Sequence, residues 1–144
     1  MNSAPTSAPA FVVPPATPGK AALWTGRVLT TLVVLFLLMD GVMKLIKPAM
    51  VVEGTVVLGY PESTITGMGV ALLGSLALYL FPRTAVWGAI FLTGFLGGAI
   101  ATHVRIGNPL FTHILFPTYV AAMLWAGLAL RRPALFAVLL GRVR

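Results

Sequence analysis

Long apolar stretches, each ended by charged or turn-forming residues, dominate the chain. Four such stretches are found, at residues 23–46, 64–81, 84–104 and 110–130. Each is close to the length of about 20 apolar residues that an α-helix needs to cross the hydrocarbon core of a bilayer. Pro48 ends the first stretch and the Arg131-Arg132-Pro133 run ends the fourth. The pattern therefore predicts an all-α fold, a polytopic membrane four-helix bundle.

Three segments fall outside these stretches. Residues 1–19 are rich in Ala, Ser, Thr and Pro, a composition that favours a disordered N-terminal tail. Residues 50–58 are apolar but too short to span, so we expect them to lie at the interface or to re-enter the membrane partway. Residues 133–144 are also too short, and their apolar part followed by arginines predicts a short interfacial segment. The transmembrane domain is accordingly expected at residues 20–132.

The composition agrees with a lipid-exposed surface. Hydrophobic residues make up 58% of the chain and charged residues only 9%, against about 25% charged in a soluble domain. The absence of cysteine excludes disulfides, thiolate metal sites and cysteine nucleophiles. The net charge of +7 does not indicate nucleic-acid binding, because the basic residues stand at the ends of apolar stretches and not in a polar stripe.

The charged residues divide unequally between the two sides of the predicted bundle. One side carries Lys20, Arg27, Arg83, Arg131, Arg132, Arg142 and Arg144, without an acidic residue. The other side carries Lys44, Lys47 and Arg105 together with Asp40, Glu53 and Glu62. Cytoplasmic loops are enriched in Lys and Arg, so the first side is assigned to the cytoplasm. We therefore expect a multi-pass inner-membrane protein with both termini in the cytoplasm.

Small residues recur at helical spacing on two of the predicted helices. Gly67, Ala71 and Ser75 share one face of the second helix, and Gly94 and Gly98 form a GxxxG pair on the third. Small residues allow close backbone approach, which drives helix association in lipid. We expect these five residues to pack inside one bundle; the alternative is a seam between copies in a homo-oligomer.

Ionisable residues converge at the outer level of the predicted bundle. Asp40 and Lys44 are four residues apart and share a helix face, and Asp40 lies about 9 Å inside the end of its helix. His103 and Arg105 reach the same level at the end of the third helix, and His113 begins the fourth. A carboxylate at this depth needs a partner, so Arg105 is expected to join Lys44 in pairing with Asp40.

Two interpretations of this polar layer stay open. The first is a structural ion-pair network that locks helices together, because buried charges are normally paired. The second is a shallow outward-facing pocket that binds a quinone, a lipid or another small amphiphile. A metal site is not expected, because a turn separates His103 from His113 and no further ligand spacing is present.

The order and spacing of several short segments resemble the DoxX-like family of small four-helix bacterial membrane proteins. The matching segments are DGVMKL at 40–45, LGYP at 58–61, LFPRT at 80–84, GAIATHVRIGNP at 98–109, FP at 116–117 and LRRP at 130–133. The resemblance covers roughly residues 27–135. It implies a four-helix bundle in a bacterial membrane, and the family takes its name from a subunit associated with thiosulfate:quinone oxidoreductase.

The resemblance favours an accessory or scaffold subunit of a membrane oxidoreductase system over an enzyme. No catalytic residue set is carried over, and a fold alone does not assign an activity. The alternative is a protein that binds a quinone or lipid, or a quinone-linked enzyme, using the outer polar layer; a third is an oligomeric permeation protein. The partners expected are the lipid bilayer, an oxidoreductase and further copies of the chain. An accessory or scaffold subunit requires no cofactor. A quinone-binding protein or a quinone-linked enzyme would take quinone as its cofactor.

Overall fold

A computed structural model describes residues 18–139 and 141, and within these residues the chain is helical, without a β-strand. The helices are α1 (Lys20–Ile46), α2 (Ala49–Val57), α3 (Ser63–Leu80), α4 (Ala85–Arg105), α5 (Phe116–Arg131) and α6 (Pro133–Leu139). One π-helical turn, Leu110–Ile114, leads directly into α5. The tail predicted at residues 1–19 and the last residues of the C-terminal segment lie mostly outside the described residues.

Four helical segments of the described chain are long and apolar enough to cross a membrane. They are Lys20–Ile46, Ser63–Leu80, Ala85–Arg105 and Leu110–Arg131. The prediction of an all-α fold with four apolar spanning helices is therefore confirmed, and each end agrees with the sequence pattern to within three residues. The orientation with both termini in the cytoplasm stays a prediction from the charge distribution.

The four long helices form a ring in which each packs against two neighbours. Helix α1 contacts α3 and α5, and α4 closes the ring on the other side by contacting the same two helices. Core residues from all four helices are almost completely buried, among them Val33, Leu37, Leu72, Leu76, Leu92, Leu96, Val120 and Leu124. The opposite faces carry exposed apolar side chains such as Leu35 and Phe91, as expected of helices that face lipid.

Glycines set the distance between neighbouring helices at three places. A Cβ atom on Gly88 of α4 would lie 2.2 Å from the main-chain nitrogen of Tyr79 on α3. A Cβ on Gly41 would collide with Leu73, and one on Gly127 would lie 2.6 Å from the hydroxyl oxygen of Thr30. Because these helices approach closely enough to exclude a methyl group, small residues do drive packing in this bundle.

The small residues singled out from the sequence are not the ones that make these contacts. A Cβ atom on Gly67, Gly94 or Gly98 would meet no heavy atom within 4 Å. Ala71 is exposed, and the Ser75 hydroxyl donates to the Ala71 carbonyl oxygen of its own helix. For the three glycines and Ala71 the prediction that they pack inside the bundle is wrong, because the four-residue spacing places small residues on one face without indicating which face meets a neighbour. A seam between copies stays a prediction.

The helix order gives the bundle two different ends. The α2 end contains α2, with the rest of the α1–α3 connection, and the turn at residues 106–109. The terminal end contains the turn at residues 81–84 and both ends of the described chain. The three acidic residues of the protein, Asp40, Glu53 and Glu62, are all in the part of the sequence that builds the α2 end.

Candidate functional site

A cavity of about 440 Å³ lies at the α2 end, inside the ring of long helices. Its wall is largely apolar and includes aromatic rings from three of these helices, Phe36, Phe95 and Phe116. Phe36 and Phe116 pack edge to face with their ring centroids 5.3 Å apart, which joins α1 to α5 beside the cavity. The polar side chains that line it are Asp40, Lys44, Thr55, Tyr60, Thr102 and His103.

Helical periodicity explains why one wall combines apolar and polar residues. Phe36, Asp40 and Lys44 are spaced by four residues on α1, so they follow one another along a single face. Gly94, Gly98 and the neighbouring Thr102 repeat the same spacing on α4. Along both helices the apolar or small residues come first and the polar residues lie nearer the α2 end. The cavity therefore has an apolar interior and a polar edge.

Asp40 and Lys44 form the ion pair that their spacing predicts. The Lys44 ammonium donates to Asp40 Oδ1 over 2.5 Å. The Lys44 side chain is only 15% exposed and that of Asp40 34%, so the ammonium is largely withdrawn from solvent and the carboxylate partly so. An ammonium group has three N–H donors. One is used by Asp40, so a ligand in the cavity can accept from the others.

His103 is held in one orientation by Asn108 in the turn after α4. The Asn108 side-chain amide nitrogen lies 2.7 Å from His103 Nδ1. Because an amide nitrogen only donates, Nδ1 accepts and the proton of the neutral imidazole is on Nε2. The His113 ring packs edge to face on His103 at a centroid distance of 5.6 Å, but His113 is exposed and is not among the lining residues. His103 therefore offers an N–H donor at the polar edge.

Arg105 is not part of an ion pair with Asp40, and that prediction is wrong. Its guanidinium Nη2 donates over 2.6 Å to the main-chain carbonyl oxygen of Leu58. Leu58 caps the C-terminus of α2, where carbonyl groups lack partners within the helix and attract basic side chains. The polar layer thus has two parts: Asp40, Lys44 and His103 line the cavity, and Arg105 ties α2 to α4.

Tyr60 makes a second connection between the α2 segment and α4. Its hydroxyl oxygen lies 2.7 Å from Thr102 Oγ1, and Thr102 Oγ1 lies 2.9 Å from the Gly98 carbonyl oxygen. Since Thr102 uses its single proton on Gly98, Tyr60 donates to Thr102. The Thr55 hydroxyl, also buried at the cavity, donates to the Val51 carbonyl within α2.

Sequence reasoning missed Tyr60, Thr102 and the two lining glycines as site residues. Tyr60 and Thr102 are uncharged, so the search for ionisable groups at membrane depth passed over them. Both lie in segments that carry the family resemblance, the LGYP segment and the segment that contains His103. Gly94 and Gly98 were noticed for their small size, but they leave space for the cavity and do not pack against a helix. Among the described residues, no three His, Asp or Glu side chains come together as metal ligands.

Comparison with known protein families identifies the family of the chain. No curated protein and no solved structure matched the chain. The family model described as the DoxX-like family matches residues 28–127, which include α2, α3, α4 and most of α1 and α5. The matched part contains every residue that lines the cavity. Because the match extends over more than half of the sequence, the chain belongs to the DoxX-like family.

Proposed function

We propose that this membrane protein binds a small amphiphile with a carbonyl-bearing head group, such as a quinone, in the cavity at the α2 end. The observation that carries the proposal is the combination of an apolar interior with hydrogen-bond donors at one edge. Small-molecule sites are typically apolar concavities in which a few placed polar groups fix the orientation of the ligand.

The size of the cavity suits a ligand with one ring system or one alkyl chain. Its volume of about 440 Å³ lies near the lower end of the range of roughly 300–1,000 Å³ that is typical of ligand pockets. A two-chain phospholipid would not fit as a whole. The rings of Phe36, Phe95 and Phe116 in the wall favour a flat or aromatic ligand body, because aromatic rings stack or meet edge to face.

The polar edge favours a head group that accepts hydrogen bonds. Lys44 has ammonium protons left after pairing with Asp40, and His103 offers its Nε2 proton. Carbonyl oxygens accept from both kinds of donor. A neutral head group avoids the repulsion that the Asp40 carboxylate would exert on an anion, and its desolvation costs less than that of a charge.

Native mass spectrometry of the purified, delipidated protein tests the proposal. The probes are a benzoquinone with a decyl tail and, for comparison, decane-1-sulfonate, which has a similar tail and an anionic head. We expect saturable binding of one quinone per chain and no comparable binding of the sulfonate. Equal binding of both probes, or no saturable quinone binding, would contradict the proposal.

An accessory or scaffold role in a membrane oxidoreductase system is a prediction that rests on the family resemblance. Saturable binding by the purified chain alone supports a binding protein, whereas binding that needs a co-purified oxidoreductase supports an accessory subunit. Assignment to the bacterial inner membrane rests on the same resemblance and on the charge distribution.

A further inference from the structure

The terminal end of the bundle carries cations and no acidic side chain. Its basic residues within the described chain are Lys20, Arg27, Arg83, Arg131 and Arg132, whereas all three acidic residues of the sequence belong to the other end. Charge asymmetry between loops is enough to set orientation in a membrane. Orientation does not require the arginines to be held in place, yet two of them are fixed by specific contacts.

Arg131 is held between three helices. Its aliphatic stem packs where Gly26 of α1 leaves room, since a Cβ on Gly26 would lie 2.9 Å from Arg131 Cγ. Its Nε donates to the Gly127 carbonyl oxygen over 3.0 Å, and its guanidinium lies above the Tyr79 ring at 5.9 Å from the centroid. The buried Tyr79 hydroxyl in turn donates to the Leu124 carbonyl oxygen over 2.9 Å. The guanidinium is therefore fixed at the end of α3.

Arg132 reaches the same place from the next position in the chain. Its Nη1 donates to the carbonyl oxygen of Pro82, in the turn between α3 and α4. Arg83 follows Pro82 directly and is exposed. Arg131 and Arg132 thus meet at the end of α3, beside the turn that carries Arg83, and the partners that the structure gives them are main-chain carbonyls and the Tyr79 hydroxyl.

Among the described residues, these contacts leave most guanidinium protons of Arg131 and Arg132 without a partner. An arginine has five N–H donors. Arg131 donates one to the Gly127 carbonyl oxygen and one to the Tyr79 hydroxyl oxygen 3.4 Å away, and Arg132 donates one to the Pro82 carbonyl oxygen. The carbonyls do not neutralise the charges. A phosphate group would accept hydrogen bonds from the remaining N–H donors and would also neutralise the positive charge, because guanidinium groups match its geometry with paired hydrogen bonds.

We propose that Arg83, Arg131 and Arg132 form a binding site for the phosphate of an anionic phospholipid at the terminal end of the bundle. The occupant is a lipid because the site lies where the spanning helices α3, α4 and α5 end, at the level expected for head groups. Trp87, in the first turn of α4 and 61% exposed, is available to contact lipid at the boundary between head groups and acyl chains. This site is separate from the cavity, whose lining residues lie toward the α2 end.

The thermal stability of the delipidated protein in a neutral detergent tests this proposal. Dioleoyl phosphatidylglycerol should raise Tm by at least about 4 °C. Dioleoyl phosphatidylcholine, which has the same chains but no net charge, should raise it much less. Inorganic phosphate at the same concentration should have little effect, since it lacks the chains. Equal shifts with both lipids, or a full shift with inorganic phosphate, would overturn the proposal.

Matched variants test whether the phosphatidylglycerol shift in Tm comes from the arginines at the terminal end of the bundle. The double variant Arg83→Gln/Arg132→Gln should lose most of the phosphatidylglycerol shift. Arg105→Gln is the control, because Arg105 also donates to a main-chain carbonyl but lies at the α2 end. It should retain the shift. If the double variant is too unstable to melt cooperatively, phosphatidylglycerol adducts counted by native mass spectrometry should fall relative to the control. Equal losses in both variants, or equal retention, would contradict the site.

Discussion

The hydroxyl groups of Tyr60 and Thr102 lie 2.7 Å apart and connect the segment after α2 to the C-terminal part of α4. The bond between Arg105 and the Leu58 carbonyl lies beside it and joins the same two parts of the chain. Most of α2 is exposed, so these two bonds are specific attachments that hold it over the polar edge of the cavity.

Removal of the Tyr60 hydroxyl should loosen α2 without unfolding the bundle. Tyr60→Phe loses one partly buried hydrogen bond, worth about 1 kcal/mol, while Thr102 keeps its bond to Gly98. Hydrogen exchange followed by mass spectrometry should show faster exchange of the α2 amides and unchanged exchange in the core of α3. Tyr119→Phe is the control, since Tyr119 is exposed and distant in the sequence from α2. Identical exchange in the Tyr60 variant and the wild type would show that this bond does not hold α2.

The ion pair beside the cavity should matter for stability. Asp40→Asn leaves the Lys44 ammonium, which is 15% exposed, without its counter-charge. We expect a loss of about 1–3 kcal/mol, between the values for exposed and fully buried pairs. Chemical denaturation in detergent measures it, and Glu53→Gln, a change at an exposed residue of α2, should have little effect. Equal stability of the Asp40 and Glu53 variants would show that the pair is solvated.

Two glycines of α4 should respond oppositely to the same substitution. Gly88→Ala places a methyl group 2.2 Å from the Tyr79 main-chain nitrogen, and neither backbone can move away easily. We expect a loss of at least about 3 kcal/mol. Gly97→Ala meets no heavy atom within 4 Å and should be neutral or stabilising by up to about 1 kcal/mol, because alanine favours the helix. Melting curves of the two variants in one detergent test this, and a stable Gly88→Ala protein would contradict the close approach.

The two histidines should differ in their effect on ligand binding. His103→Phe keeps a ring in place but removes the Nε2 donor, so the affinity for the decyl benzoquinone should fall about tenfold. His113→Phe keeps the edge-to-face contact with His103 and changes no lining residue, so it should bind as the wild type does. Isothermal titration in detergent gives both affinities. A larger loss in the His113 variant would place the ligand elsewhere.

Hydropathy and the positions of prolines were enough to predict the four long helices. The four-residue spacing of Asp40 and Lys44 was enough to predict the ion pair between them. These features act along one helix or at its ends, so they are readable from local sequence. The partner of Arg105 and the packing glycines depend on how helices are rotated against one another. The sequence could not show that the Leu58 carbonyl at the end of α2 would meet Arg105, or that Gly88 faces α3 while Gly94 faces the cavity.

Binding of the decyl benzoquinone to two leucine variants of α4 tests the central claim most directly. Gly98 lines the cavity and Gly97, the preceding residue, does not, while a Cβ at either position meets no heavy atom within 4 Å. Gly98→Leu should fill the cavity and lower the affinity at least about tenfold, with the fold preserved by circular dichroism and melting. Gly97→Leu should bind as the wild type does. Unchanged binding by Gly98→Leu, or an equal loss in both variants, would contradict a ligand site in this cavity.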